Sequence, residues 1–217
     1  MRNKTFKEFL LEAPLPDDWD KSIYNDRISF NKRIQYAKQM SQKIGSGSSR
    51  VAFKIPYQGR DTVLKIAKNK QGAGQNQAEF DVLNDSFVSS IGIVIPMIDA
   101  DIKSNYPTWI HTEFAQKAKP ADFVKQFGGT LKDLMAYAAI NFGHNKQHIH
   151  PNHSRYGDFR KINENNPAVY KFIDFVGNYS HIPADDYSRI ANWGVYKGKL
   201  VIIDIGFSTE VRTQFYS

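Results

Sequence analysis

The stretch Ile44-Gly45-Ser46-Gly47-Ser48-Ser49-Arg50-Val51 carries the first residues suited to chemistry. A Gly-x-Gly pair lets backbone N–H groups approach a phosphate, because no Cβ intervenes. Twenty residues after Gly45, Val63-Leu64-Lys65-Ile66-Ala67 sets one lysine inside an apolar run. A lysine there is costly to bury unless it is paired. Glu79 lies fourteen residues further on, in a segment with helical spacing. A helix packed on the strand of Lys65 would bring the two charges together. The competing reading is a lysine that snorkels to the surface and a solvated glutamate.

Further along, Asp204 follows the apolar run Leu200-Val201-Ile202-Ile203. A carboxylate at such a strand end is placed to hold Mg²⁺, or simply to cap a turn. Two other nucleotide motifs are set aside. The dinucleotide fingerprint needs a helix after its glycines, and here a strand-like run follows; the Walker A motif needs Gly-Lys-Ser/Thr, which is absent.

The elements that must position these groups are legible as periodicity. Residues 4–12 read as a short amphipathic helix bearing Phe6, Phe9 and Leu10, stopped by Pro14 and Pro16. Asp17, Asp18 and Asp20 read as a polar linker around Trp19, and 28–42 as a second helix with Ile34, Ala37 and Met40 inward. From Val51 the alternation is strand-like, with a hairpin turn at Gln58-Gly59-Arg60-Asp61 and a return strand over 62–67. Gly72 and Gly74 mark a loop, and 75–87 a helix with Ala78, Val82 and Leu83 inward. Ile91–Ile98 and Thr108–Phe114 are two further apolar, β-branched runs. Helices follow over 121–127, 131–142 and 169–176, separated by a polar loop at 143–166, and a closing hairpin spans 193–205 with its turn at Lys197-Gly198-Lys199.

In this order the parts resemble the protein-kinase fold, in which a glycine loop lies over a hairpin, a strand lysine pairs with a helix glutamate, and the final strand ends in Asp-Phe-Gly. Here Asp204-Ile205-Gly206 stands at that end, and Asp186-Tyr187-Ser188-Arg189-Ile190-Ala191-Asn192 resembles the catalytic loop. The resemblance covers about residues 44–207. It implies an α+β, two-lobed but truncated kinase-like fold: an arm and helix over 1–43, a small antiparallel sheet with one helix over 44–115, and a shortened helical lobe over 116–217. It implies ATP and Mg²⁺ as cofactors. Gly45, Ser46, Gly47, Ser48 and Ser49 would cover the phosphates, Lys65 would bind them, and Glu79 would orient Lys65. The adenine would lie along Glu113-Phe114-Ala115, with Glu113 and Ala115 offering backbone groups. Asn192 and Asp204 would hold the metal, and Asp186 would be the catalytic base.

The chain departs from the family pattern in four places. Arg50 replaces the third loop glycine, no His-Arg precedes Asp186, and Asp186 and Asn192 are six residues apart where the family has five. Eleven residues follow Gly206, so the expectation is that a docking surface for a protein substrate is missing or built differently.

The chain is also similar to kinase-like proteins of tailed bacteriophages, on the phrases Gly-Ser-Ser-Arg-Val at 47–51, Leu-Lys-Ile-Ala-Lys-Asn at 64–69 and Asn-Trp-Gly-Val at 192–195. Residues 4–13 resemble the capsid-targeting leader of T-even-type internal head proteins, with a cut expected between Glu12 and Ala13; the alternative is an ordinary packed helix. This implies a place in the host cytoplasm or inside the virion head, and host or phage head proteins as partners.

Composition narrows the remaining classes. The chain has 217 residues and no cysteine, which excludes disulfides, thiolate zinc sites and a cysteine nucleophile. Lys plus Arg number 29 against 22 Asp plus Glu, a net charge of +7 that suits phosphate or nucleic-acid partners, although no run of five basic residues occurs. No apolar stretch approaches the ~20 residues of a membrane span, and Glu8 and Glu12 interrupt any signal sequence. His144, His148, His150 and His153 form a cluster that reads as solvated loop histidines or a metal site. Tyr106, Trp109, Tyr156 and Tyr187 suit base stacking or core packing. Three functions compete: a phosphotransferase, a catalytically silent pseudokinase serving in the virion or against the host, and a basic packaged protein associated with DNA.

Overall fold

The computed structural model describes residues 15–24, 28–104, 106–143, 156–182, 184–206, 211 and 213–214. It is a mixed α+β fold with an antiparallel sheet and several helices. The chain divides into two compact units. Unit 1 comprises the described residues up to Phe80 together with Pro96–Phe114; unit 2 comprises Asp81–Ile95 and the described residues from Ala115 onward. The leader-like helix expected at 4–12 and all four clustered histidines lie outside the described residues.

Unit 1 is built on five antiparallel strands in the order β1-β2-β3-β5-β4: β1 Gln42–Ser46, β2 Arg50–Tyr57, β3 Arg60–Ala67, β4 Met97–Ala100 and β5 Trp109–Glu113. The alternation of β2 does what period two demands. Val51, Phe53 and Ile55 are buried on one face, joined by Leu64, Ile66 and Trp109. Helix α1, Phe30–Met40, covers that face with Ile34 and Ala37, and Leu15, Trp19 and Tyr24 complete the layer. Trp19 is therefore part of a core, not of a polar linker. It stacks on Tyr24 at 5.9 Å and meets Tyr36 edge-on at 5.6 Å, and burial pushes the Tyr24 hydroxyl's pKa up. Residues 62–67 of β3 are all buried, so both faces of this central strand are covered.

The turn joining β2 to β3 has positive φ at Gln58 and Gly59, the type I′ geometry that matches strand twist. Lys197 and Gly198 turn the hairpin of unit 2 in the same way.

Three expectations are corrected in the segment that follows β3. Gly72 and Gly74 are not in a loop but in helix α2, Lys70–Leu83. Asn69 starts it: its side-chain oxygen accepts from the Gly72 N–H at 2.9 Å and its carbonyl from Ala73 at 3.1 Å. A Cβ at Gly72 would lie 2.1 Å from the Ser49 carbonyl oxygen, so glycine is present for close approach and not for flexibility. Second, the single helix expected over 75–87 is two, because Asp85 accepts from Phe87 N–H and caps a new helix, α3, Ser86–Ile91. Third, Ile91–Ile98 is not one strand. Ile91 ends α3, Gly92 at φ 64° turns the chain, and Ile93–Ile95 run beside the last strand of unit 2.

Unit 2 holds α3 and a three-stranded sheet, β6 Gln116–Lys117, β7 Trp193–Tyr196 and β8 Lys199–Ile202, with helices α4 Pro120–Phe127, α5 Leu131–Asn141, α6 Pro167–Asn178 and α7 Ala184–Tyr187. β8 stops at Ile202, short of the expected Ile205. The core is aromatic: Trp193 lies 5.3 to 6.0 Å from the rings of Phe123, Phe127 and Phe172. Local rules set the helix ends. Thr130 and Asp133 cap α5 reciprocally, and Asn166 caps α6 with Pro167 at its first turn. Asp133 is buried and also accepts from the Asp158 N–H at 2.7 Å, which orders the described end of the expected 143–166 loop. Tyr179 donates to Asp85; that hydrogen bond and the Phe87 N–H lower the Asp85 pKa, while burial, then Asp85, raises that of Tyr179. Among the described residues no helix is long and apolar enough to cross a membrane.

Candidate functional site

Register fixes where Lys65 points. It pairs with Ala52 of β2 and Ile110 of β5, on the face opposite Leu64 and Ile66. That is the face on which α2 packs, and Glu79 projects from α2 onto it. The Lys65 ammonium donates to Glu79 Oε1. Glu79 is fully buried, so the ion pair removes a charge that water cannot reach. The strand lysine and the helix glutamate expected to meet do meet, within unit 1.

The sequence reading missed who else meets them. Arg50 Nη1 donates to the second oxygen, Glu79 Oε2, at 2.5 Å, and lies 3.4 Å from Asn76 Oδ1. Asn76, also fully buried, donates from Nδ2 to the Pro107 carbonyl at 2.9 Å, which fixes its oxygen toward Arg50. The signal was present in the numbering. Residues 50, 52 and 54 share a face of β2, and Ala52 sits opposite Lys65, so parity alone directs Arg50 to the Lys65 side. Asn76 is three residues before Glu79, one turn away on the same helix. The result is one carboxylate between two cations.

The glycine loop is tied down at several points. Gly45 pairs with Ala52 next to an irregularity in the β1–β2 register, and Ser46 ends β1. The Gly47 N–H bonds the Arg50 carbonyl at 3.0 Å, and Lys68 Nζ donates to the Gly47 carbonyl at 2.5 Å. Ser48 and Ser49 hydroxyls lie 3.3 Å apart; Gly47 and Ser48 are exposed while Ser49 is buried. The Ser49 carbonyl accepts from Lys68 N–H at 2.8 Å and rests against Gly72. In this conformation the Gly47 N–H serves the hairpin and is not offered to a phosphate.

Glu113 ends β5. Its carboxylate is gripped by Arg60, with Nη2 to Oε1 at 2.7 Å, and its N–H bonds the Pro96 carbonyl at 3.0 Å. Ala115 belongs to unit 2, where its methyl lies against Gly194; a Cβ there would come within 2.6 Å of it.

Asp186, Asn192 and Asp204 also belong to unit 2. Asp186 lies in α7. Asn192 closes a 3-10 turn, Ile190–Asn192, and its Nδ2 donates to the Asp186 carbonyl at 2.5 Å, so its side-chain oxygen takes no part in that bond. The Ile203 N–H bonds the Asn192 carbonyl at 2.8 Å, which carries Asp204, one residue on, to the same part of the unit. Asp204 is half-buried, and Ile205 and Gly206 beyond it are buried. A carboxylate and an amide oxygen are the donor types that a hard cation takes. Among the described residues no cluster of three or more His, Asp or Glu forms a metal site.

Of the four aromatic residues considered for base stacking, Trp109 and Tyr187 are buried and serve packing, Tyr187 against Phe172 at 5.9 Å; Tyr106 is exposed and Tyr156 half-buried. No family model matches this chain, and no curated protein matches it.

Proposed function

We propose that this protein is a kinase-like nucleotide-binding protein, and that Lys65 is its phosphate ligand. The observation that carries this reading is the buried ion pair between a central-strand lysine and the glutamate of the helix packed on it, in the unit that also holds the glycine-bearing hairpin. A lysine held at a sheet face by a fully buried carboxylate has a fixed position, which is what a phosphate-contacting cation requires. On this reading Gly45–Ser49 lie over the phosphates and the adenine runs along Glu113–Ala115. Asp204 and Asn192 would hold Mg²⁺, which neutralises phosphate charge when bound. Asp186 would accept the proton of an attacking hydroxyl. We extend the proposal to kinship with kinase-like proteins of tailed bacteriophages, on the three sequence phrases quoted above.

A second reading, a binder without phosphotransfer, is favoured by Arg50. It ties the strand after the glycine loop to Glu79 and Asn76, which opposes the movement of the loop as a flap.

Thermal unfolding with Mg·ATP, Mg·ADP and Mg·GTP tests the common claim. Nucleotide at 100 times its Kd adds about 2.7 kcal/mol, a rise in Tm of roughly 5–10 °C for a chain of this size. The rise is expected in the native chain and absent in Lys65→Ala. No rise with any of the three nucleotides rejects the proposal. Transfer of label from ATP, with Lys65→Ala as control, separates the phosphotransferase from the silent binder.

A further inference from the structure

The glycine loop is fastened to the segment that follows β3, and one lysine makes two of the ties. The Lys68 N–H donates to the Ser49 carbonyl at 2.8 Å, and the Lys68 ammonium reaches the Gly47 carbonyl at 2.5 Å. We propose that Lys68 is a positioning residue that latches the loop tip, Gly47 and Ser48, in a resting conformation, and that a phosphate group of the ligand releases the tip by taking the ammonium. This rests on the nucleotide reading and adds to it a regulated step at the same loop.

Three observations carry it. The first is where the loop is held. On one side, Gly45 and Ser46 pair with Ala52 and Val51 of β2. On the other, Ser49 is buried, and its carbonyl is seated where Gly72 lacks a Cβ. Arg50, next along, is bonded to Glu79 and Asn76. Gly47 and Ser48 lie exposed between these fixed points, so movement is confined to a two-residue tip. The second is the kind of bond. The Gly47 carbonyl is a neutral acceptor, and the contact lies at the exposed surface. A phosphate oxygen brings a full negative charge to the same ammonium and competes for it from solution. The third is the glycine itself. A Cβ on Gly47 would meet nothing within 4 Å, and Gly47 is not among the residues of positive φ. The resting conformation therefore makes no demand for glycine there, in contrast to Gly72, where a Cβ would lie 2.1 Å from the Ser49 oxygen. The freedom of Gly47 serves the released conformation, in which its N–H leaves the Arg50 carbonyl and turns toward the phosphate.

The test is amide hydrogen exchange of the full chain, read residue by residue by NMR, beside calorimetric titration with ATP and with inorganic tripolyphosphate. Lys68→Met is expected to speed exchange of the Gly47 N–H by about tenfold or more while leaving that of Ile66 in β3 unchanged. Lys68→Arg, which keeps a donor, is expected to restore part of the protection. Gly47→Ala is expected to keep the native Tm, since the methyl enters open space, and to weaken ATP binding by about tenfold or more. Equal Gly47 exchange in the native chain and Lys68→Met overturns the latch. Native ATP affinity in Gly47→Ala overturns the release step. Either result, with ATP still bound by the native chain, leaves the nucleotide reading standing. Binding of neither ATP nor tripolyphosphate by the native chain removes the nucleotide reading and, with it, the ligand that opens the latch. If Lys68→Met does not fold, the Gly47→Ala titration still decides the matter.

Discussion

Glu79 offers the sharpest test of the site because its two oxygens are served by different cations. Replacing Lys65 with methionine removes one charge-assisted hydrogen bond, worth about 1.5–3 kcal/mol, and leaves an apolar side chain between Ala52 and Ile110, where it packs well. Glu79 is still neutralised by Arg50 at 2.5 Å. Arg50→Met leaves Lys65 in the same role. Either single change is therefore moderate. The double variant strips a fully buried carboxylate of both cations, and an uncompensated buried charge costs about 3–5 kcal/mol. The loss in the double variant should exceed the sum of the two single losses by at least ~1 kcal/mol. A third change, Glu79→Gln, gives the decisive sign. In the native background it removes the carboxylate that both cations share and destabilises by about 3–5 kcal/mol. In the double-methionine background it removes the orphaned charge and should raise stability. Urea unfolding at pH 7, followed by circular dichroism, yields all the values. Additive losses, or a Glu79→Gln change that lowers stability in both backgrounds, would show that the two cations do not share this carboxylate.

Three further outcomes are expected. Gly72→Ala should destabilise by about 1–3 kcal/mol although alanine is the better helix former by ~1 kcal/mol, because the new methyl meets the Ser49 carbonyl at 2.1 Å and the Ala67 Cα at 3.2 Å; chemical denaturation that shows a gain would contradict the close contact. Tyr179→Phe should narrow the pH range of stability: a depressed Asp85 stabilises above its ordinary value of 3.8 and is lost as pH falls through the lower native value, while a raised Tyr179 stabilises below 10 and is lost as pH climbs through the higher one. The native chain should thus exceed the variant most at neutral pH and converge with it at both extremes, measured by denaturant titrations across pH. Glu113→Ala should change stability by less than ~1 kcal/mol, since its partner Arg60 is largely exposed, and should leave nucleotide affinity nearly unchanged if only its backbone lies beside the base; a large loss of affinity in calorimetry would assign the side chain itself a role.

Legibility followed the range of the interactions. The β2–β3 hairpin was readable because its causes are local: period-two burial of Val51, Phe53 and Ile55, and a Gln-Gly turn that accepts positive φ. The Lys65–Glu79 pair was readable because an apolar strand and a following helix leave a charged residue few other partners. Gly72 misled because its reason is tertiary; glycine reads as loop unless the approaching carbonyl of Ser49 is known. Trp19 misled in the opposite sense, since three aspartates nearby masked an aromatic anchor for Tyr24 and Tyr36. The break at Asp85 turned on one side-chain oxygen taking the Phe87 N–H. Arg50 needed only strand parity, since Ala52 two residues on stands opposite Lys65.

The three tryptophans of the chain are distributed usefully for optical work. Trp19 and Trp109 lie in the apolar layer of unit 1, and Trp193 among the phenylalanines of unit 2, its indole N–H donating to the Tyr187 carbonyl at 2.8 Å. Intrinsic fluorescence therefore contains two emitters from unit 1 and one from unit 2. A chain keeping only Trp193 would report the loss of the second aromatic core by its red shift, and one keeping only Trp109 would watch the sheet behind Lys65, so that melting of the two halves can be resolved in one cuvette without an added dye.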